Sequence, residues 1–330
     1  MVRLGLTLAP SNTIRLDDLI ALAQEAEHHG YDSIWVPETW GADAGTVLAS
    51  LALNTSRIKL AAGVFNVFSR SAALIAQTAA TLQHLSRGRF ILGLGASGPG
   101  VVERWHGMPY ARPVERTRTY VEIIKLALAG ERVDHAGLGT QLSGFRLANP
   151  PDAPVSIYIA ALGPRNVRLA GEIADGWLPI FAPRGQLGVL RDELVTGAED
   201  AGRDASTIDI AAFLPAAVGP RAERLLRQQL AYYVGAMGTF YASFLSRMGY
   251  AQEVATVRER WTGGDRLGAV AAVPDDLLAT ATLGTDPGTA AVRLADYRMG
   301  GLGLPILALP HGCTVEGARQ TVRALAPQAP

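Results

Sequence analysis

Four short stretches carry residue types that could do chemistry. Glu38-Thr39-Trp40 closes an apolar run and sets a carboxylate, a hydroxyl and an indole side by side. Glu38 can act as an acid, as a hydrogen-bond partner for a bound ring, or as a carboxylate capping the next helix. Gly63-Val64-Phe65-Asn66 closes a second run, and glycine within a strand marks a bulge or a spot where a flat ligand meets the main chain. Gly93-Leu-Gly95-Ala-Ser97-Gly98 fits G-x-G-x-x-G; Gly95, Gly98 and Gly100 would let backbone approach a ligand, and Ser97 adds a hydroxyl. Leu162-Gly163-Pro164-Arg165-Asn166 combines a helix start with a guanidinium, a pairing that can hold a phosphate. Its plainer reading is a tight turn with Arg165 solvated.

The elements that must position these residues alternate regularly. Strand-like runs cover residues 2–10, 33–38, 58–64, 89–95, 156–161, 176–181, 208–214 and 304–310. Between them lie helical patterns, among them 16–29, 45–53, 72–85, 113–128, 165–174 and the closing 315–325. Eight apolar strands, each followed by a helix, predict parallel pairing with both faces covered, which a closed (β/α)8 TIM barrel satisfies without edges. An open doubly wound sheet could use the same alternation. Two stretches break the rhythm: 130–154, read as a loop or small hairpin, and 221–282, read as inserted helices; the whole chain is expected to form one domain. In this frame the G-x-G-x-x-G run is a poor dinucleotide fingerprint. Three β/α units precede it, and the residues about twenty positions further on fall within a helix.

Composition narrows the function classes. Thirty basic residues balance thirty acidic ones, so no whole-molecule field favours nucleic acid or an anionic membrane. The single cysteine, Cys313, cannot form an internal disulfide, and no Cys and His spacing suggests a metal site. Met1 leads directly into a strand-like run, without the charged and apolar regions of an export signal, so a cytoplasmic location is expected. Trp105-His106 offers a stacking surface and a titratable ring. Tyr232-Tyr233, Phe240-Tyr241 and Phe244 form a helical stripe read as core ahead of pocket, and no metal role is expected for His28-His29.

Taken together, Tyr31-Asp-Ser-Ile-Trp-Val-Pro-Glu38, Gly88-Arg-Phe-Ile-Leu-Gly-Leu-Gly95, Trp105-His-Gly107 and the run from Gly163-Pro-Arg-Asn to Ala-Asp-Gly176 resemble the luciferase-like monooxygenase superfamily. Within it, the pattern is similar to the branch that uses the deazaflavin coenzyme F420, including methylenetetrahydromethanopterin reductase and deazaflavin-dependent glucose-6-phosphate dehydrogenase. The resemblance implies a bacterial-luciferase-like barrel with cofactor at the C-terminal ends of its strands. It implies an acidic residue near the deazaflavin ring at Glu38, with Thr39 beside it as a catalytic candidate. A non-proline cis peptide at Gly63-Val64 is implied behind the ring, and a polar cofactor contact at Asn66. Ser97 and Gly98 match the loop after strand four, and Leu162, Gly163, Pro164 and Arg165 the loop that holds the cofactor's phosphate. Two positions depart from the pattern: Thr39 stands where relatives often carry His, and Pro99 where the sugar-phosphate dehydrogenase has its acidic residue. The expected activity is hydride transfer between C5 of F420 and an organic small molecule, in a homodimer packed through the helices after strands two and three. The alternative is an FMN-dependent monooxygenase fed by a separate reductase.

Overall fold

Residues 3–137 and 140–327 are described by the computed structural model. Val2 of the first expected strand, and Leu138 and Gly139 of the expected insertion, lie outside the described residues. The chain alternates β1 (Gly5–Thr7), α1 (Leu16–His28), β2 (Ser33–Val36), α2 (Ala44–Asn54), β3 (Lys59–Ala62), α3 (Ala72–Leu85), β4 (Phe90–Gly95) and α4 (Pro113–Leu128). It continues with β5 (Ser156–Ile159), α5 (Pro164–Ile173), β6 (Gly176–Trp177), α6 (Leu187–Asp200), β7 (Asp209–Pro215), α7 (Pro287–Met299), β8 (Leu304–Ala308) and α8 (Val315–Ala324). Every strand pairs in parallel with the next, and β1 pairs with β8 through Gly5 opposite Ile306. The sheet is therefore a closed (β/α)8 TIM barrel, and all strand-to-helix loops leave from one rim.

Short-range chemistry sets many of the boundaries. Asp43, Ser71, Asp286 and Thr314 cap α2, α3, α7 and α8 by accepting from backbone N–H groups in the first turn. The apolar face of α3 (Ala72, Ile75, Ala76, Ala79, Leu82) packs against the outside of the sheet. The 130–154 interruption holds a hairpin of Val133–Gly137 and Thr140–Phe145. The 221–282 segment is helical, beginning with Ala222–Ala236, Phe240–Leu245 and Ala251–Thr262. β6 is shorter than its apolar run suggests. Pro179 has no N–H to continue the ladder, and only an isolated bridge between Ile180 and Phe213 follows.

The lumen is filled by Trp35, Ile91, Tyr158, Ala211, Phe213 and Ile306 among others. At the N-terminal rim Tyr158 donates to Asp209 at 2.7 Å, and Arg3 bridges Asp209 at 2.8 Å and Asp32 at 3.4 Å. At the other rim β3 carries one extra residue. From Ala61 to Phe65 it advances four positions, while β4 advances three, from Ile91 to Leu94. The bulge contains a cis Gly63-Val64 peptide and directs Val64 into the lumen. Glycines on the facing strand accommodate it: a Cβ at Gly93 would lie 2.0 Å from the Ala62 carbonyl oxygen, and one at Gly95 2.7 Å from Val64 Cγ2. This corrects the expected role of Gly95, whose missing side chain makes room for Val64 and not for a ligand.

Gly93→Ala is therefore expected to destabilise the fold by about 3 kcal/mol or more, because backbone is what it would meet. Gly100→Ala, with nothing within 4 Å of its new methyl group, should leave stability unchanged or raise it by up to about 1 kcal/mol. Urea unfolding of the two variants checks the contrast.

Candidate active site

The corner between β2 and β3 is fixed by one guanidinium. Arg70 donates from Nε to Glu38 Oε2 at 2.9 Å and from Nη2 to Glu38 Oε1 at 2.7 Å, and it also reaches Asp43. Glu38 Oε1 accepts from the Ala44 N–H at 3.2 Å as well, at the start of α2. Arg70 lies over the Phe65 ring, 4.6 Å from its centroid. This two-bond fork holds the Glu38 carboxylate in a fixed orientation. Its first task here is to join the β2 loop to the segment that follows the bulge. Asn66 is buried in the same corner, and its Oδ1 accepts from the Phe68 N–H at 2.9 Å. Thr39 is exposed on the rim next to Trp40.

Above the lumen the loops meet in a cluster of rings. Trp40, after β2, packs at 5.7 Å on Trp105, after β4, at 5.5 Å on Tyr232 of the 222–236 helix, and at 5.4 Å on His311, after β8. β4 and β8 stand on opposite sides of an eight-stranded barrel, so an indole that touches loops from both spans the mouth. The cluster runs on through Tyr233 to Phe181 and Tyr241, each at 4.8 Å. On the flank Phe68 stacks on Tyr110 at 5.1 Å, and the Tyr110 hydroxyl donates to the Ser97 carbonyl at 3.2 Å. Burial pushes the Tyr232 phenol above its ordinary range and that of Tyr233 up to about 12, where the neighbouring Tyr232 adds to the effect. These hydroxyls stay neutral at physiological pH and act as hydrogen-bond partners. Burial among the rings has the opposite effect on His311, lowering its pKa and favouring the neutral imidazole.

The loops after β4 and β5 leave side by side, because Leu94 pairs with Ile159. Ser97 adopts a left-handed φ of 56°, and Gly98 caps a short helix, Pro99–Trp105, that the sequence pattern does not announce. Gly163 caps α5 with no side chain bonded over the helix end, and Pro164 takes the first helical position. An added Cβ at Gly163 would meet nothing within 4 Å, so the approach to this N-terminus is open. The Arg165 side chain is 80% exposed, 3.6 Å from Glu115. One turn in, the buried Asn166 Oδ1 has no hydrogen-bond partner among the described residues. An open helix start, a mobile-length guanidinium and an unpaired acceptor fit a phosphate and an adjoining hydroxyl.

The structure thus gathers Glu38, Gly63, Val64 and Asn66 at one corner. Ser97, Gly98, Leu162, Gly163, Pro164 and Arg165 lie on the neighbouring loops of the same rim. His106 is exposed and does not join the rings that Trp105 joins. Phe181 and His311 were missed in the sequence; of the aromatic stripe, Phe244 lies in the hydrophobic core and Tyr233, Phe240 and Tyr241 pack against it as expected, while Tyr232 packs on Trp40. The faint signal was position: Phe181 and His311 both stand just beyond the C-terminal end of a strand. Among the described residues no group of three His, Cys, Asp or Glu side chains could hold a metal ion.

The luciferase-like monooxygenase family profile matches residues 3–303. The chain belongs to this family. A Mycobacterium tuberculosis protein, assigned by name only as a coenzyme F420-dependent oxidoreductase, is 34% identical over 94% of this chain and 92% of its own length. The 5,10-methylenetetrahydromethanopterin reductase of Archaeoglobus fulgidus is 29% identical over 87% of this chain and 88% of its own. Among solved structures, the coenzyme F420-dependent tetrahydromethanopterin reductase of Methanopyrus kandleri superposes with a TM-score of 0.84, covering 98% of each chain at 23% identity. The luciferase-like barrel is thereby the fold of this chain, and coenzyme F420-dependent oxidoreductases are among its relatives.

In this luciferase-like chain, Arg70→Ala should lower stability by about 1.5 to 3 kcal/mol, since two charge-assisted bonds to a largely buried Glu38 are lost. Burial raises the Asp43 pKa, but its bonds from Thr46 and the Arg70 guanidinium outweigh this and hold it below the ordinary value. That stabilisation is present above about pH 4 and is lost as the pH falls through the lower folded value. The advantage of wild type over Arg70→Ala should accordingly narrow below about pH 4, which urea unfolding across acid pH measures.

Proposed function

We propose that this chain is an F420-dependent oxidoreductase that moves a hydride between C5 of the deazaflavin and an organic small molecule. The observation that carries the reading is full-length similarity to F420-dependent oxidoreductases, combined with an open, phosphate-ready helix start beside a bulged strand end. When bound, the deazaflavin supplies a carbon that accepts or donates hydride while reacting little with oxygen. The chain's own groups supply position and water exclusion. Val64 and the bulge back the ring, Asn66 offers a polar contact, and Ser97, Gly98 and the Leu162-to-Arg165 turn hold the phosphate. Glu38, fixed by Arg70, holds this corner in register, and Thr39 presents a hydroxyl on the rim. The rings around Trp40 lie over the mouth and offer apolar surface to the reacting partner.

Homodimer formation through α2 and α3 belongs to the same proposal. Leu53 and Leu74 stand on these helices, 70% and 44% exposed in the isolated chain. Light scattering should give twice the chain mass; monomer over a broad concentration range would rule the dimer out. No helix among the described residues is long and apolar enough to cross a membrane, and we propose that the enzyme works in the cytoplasm.

The purified protein, titrated with F420 and with FMN, should bind F420 more tightly and turn over without consuming oxygen. Arg165→Ala should weaken F420 binding roughly tenfold, about 1.5 kcal/mol and the low end for a charge-assisted contact, because this side chain is solvated. Tight FMN binding with stoichiometric oxygen uptake would instead make the chain an FMN-dependent monooxygenase.

A further inference from the structure

The 222–236 helix is a strap across the barrel mouth. Near its start Leu225 lies against the loop after β8, where a Cβ at Gly312 would be 3.7 Å from Leu225 Cδ2. At its far end the Met237 carbonyl oxygen stands over the loop after β4, 3.6 Å from a Cβ placed on Gly98. β8 and β4 face each other across the barrel, so the helix follows a diameter. Its two flanks rest on different loops. Leu225 and Tyr232 meet the β8 and β2 side, Tyr232 packing on Trp40 at 5.5 Å. Leu226 and Tyr233 meet the β7 and β6 side, Leu226 clustering with Ala217 and Tyr233 packing on Phe181 at 4.8 Å.

One polar side chain occupies the seam between the flanks. At about 100° per residue, Gln229 projects roughly 60° from Tyr232 and roughly 40° from Tyr233, between the two and so down toward the mouth. It is 6% exposed, and its Oε1 is buried with no hydrogen-bond partner among the described residues. The earlier positions on this face of the helix, Ala222, Leu225 and Leu226, are apolar and offer no side-chain partner. Arg221, exposed at the helix start, lies near the Cys313 thiol and makes no bond to Gln229 Oε1. A buried amide without a partner costs stability, a cost that leucine or methionine at this position would avoid.

We propose that Gln229 selects the substrate, and that the group it takes is a carboxamide or lactam edge, an N–H beside a C=O. The ligand N–H donates to Oε1 and the ligand carbonyl accepts from Nε2, so each amide completes the other. A donor beside an acceptor matches the Gln229 amide in either of its two orientations. The role rests on the F420 reading above. With the deazaflavin against Val64 on the β3 wall, a group under the middle of the strap lies on the other face of the ring, where the organic partner belongs. Trp40, Tyr232 and Tyr233 supply ring surface around this one polar point, a setting in which a single missing hydrogen bond discriminates strongly.

The test compares 2-pyrrolidinone, a lactam, with N-methyl-2-pyrrolidinone, the same ring without its N–H, titrated into protein carrying nitrogen-15 in its glutamine side chains. The titrations are run with saturating F420 and again without it. The side-chain amide resonance absent from both Gln229→Met and Gln229→Asn should move and saturate with 2-pyrrolidinone, and the N-methyl compound should bind at least about tenfold more weakly. By calorimetry, Gln229→Met should bind the two compounds within about twofold of each other and keep its F420 affinity within about twofold of wild type. Its urea midpoint should equal or exceed that of wild type. Equal binding of both compounds by wild type, or no saturable shift, would overturn the proposal. So would a lower urea midpoint in Gln229→Met, the mark of a structural bond, or a loss of its F420 affinity, the mark of an amide that holds the cofactor ring. Failure of wild type to bind F420 would strike the oxidoreductase reading alone, since the two compounds titrated without F420 still decide the role of Gln229.

Discussion

The upper half of the barrel is arranged around one extra residue in β3. Inserting it pushes the Ala62 carbonyl and the Val64 side chain across the face of β4, and a strand can tolerate that only where the facing positions have no side chains. Gly93 and Gly95 stand two apart on the lumen face of β4 and meet that condition. The displacement has two consequences for the site. It places Val64 in the lumen wall just below the rim, and it re-aims the chain so that Asn66 and Arg70 arrive beside the end of β2. Arg70 then fixes Glu38 and Asp43, and with them the start of α2 and the approach to Trp40.

Charge is distributed differently at the two rims. At the N-terminal end Arg3, Asp32, Asp209 and Tyr158 form a closed set of pairs whose work is to hold β1, β2, β5 and β7 together. At the C-terminal end the ions lie at the edges, in the Arg70 cluster and on the solvated Arg165, and the centre is aromatic. A neutral centre flanked by an anion-binding helix start suits a ligand with one charged tail and a flat head.

Much of this could be read from the sequence where the signal was local. α3 and α4 begin and end where their helical patterns at 72–85 and 113–128 indicate. The strand-then-helix alternation indicated a parallel sheet covered on both faces, open or closed, and family resemblance pointed to the barrel and to the bulge at Gly63-Val64. The glycine-rich run was legible as a close approach, but the approaching group turned out to be Val64 of the neighbouring strand. The two-residue spacing of Gly93 and Gly95, which puts both on one face of a strand, held that information. The aromatic mouth was not legible. Trp40, Trp105, Tyr232 and His311 come from three loops and an inserted helix, so no periodicity links them, and only closure of the barrel brings the last strand's loop against the second's.

The most direct test of the central claim is a crystal structure of the protein grown with F420. The deazaflavin ring is expected against Gly63 and Val64 beneath Trp40, with its phosphate at the Gly163-to-Arg165 turn. A phosphate bound away from that turn, or a ring lodged anywhere but against the bulge, would contradict it.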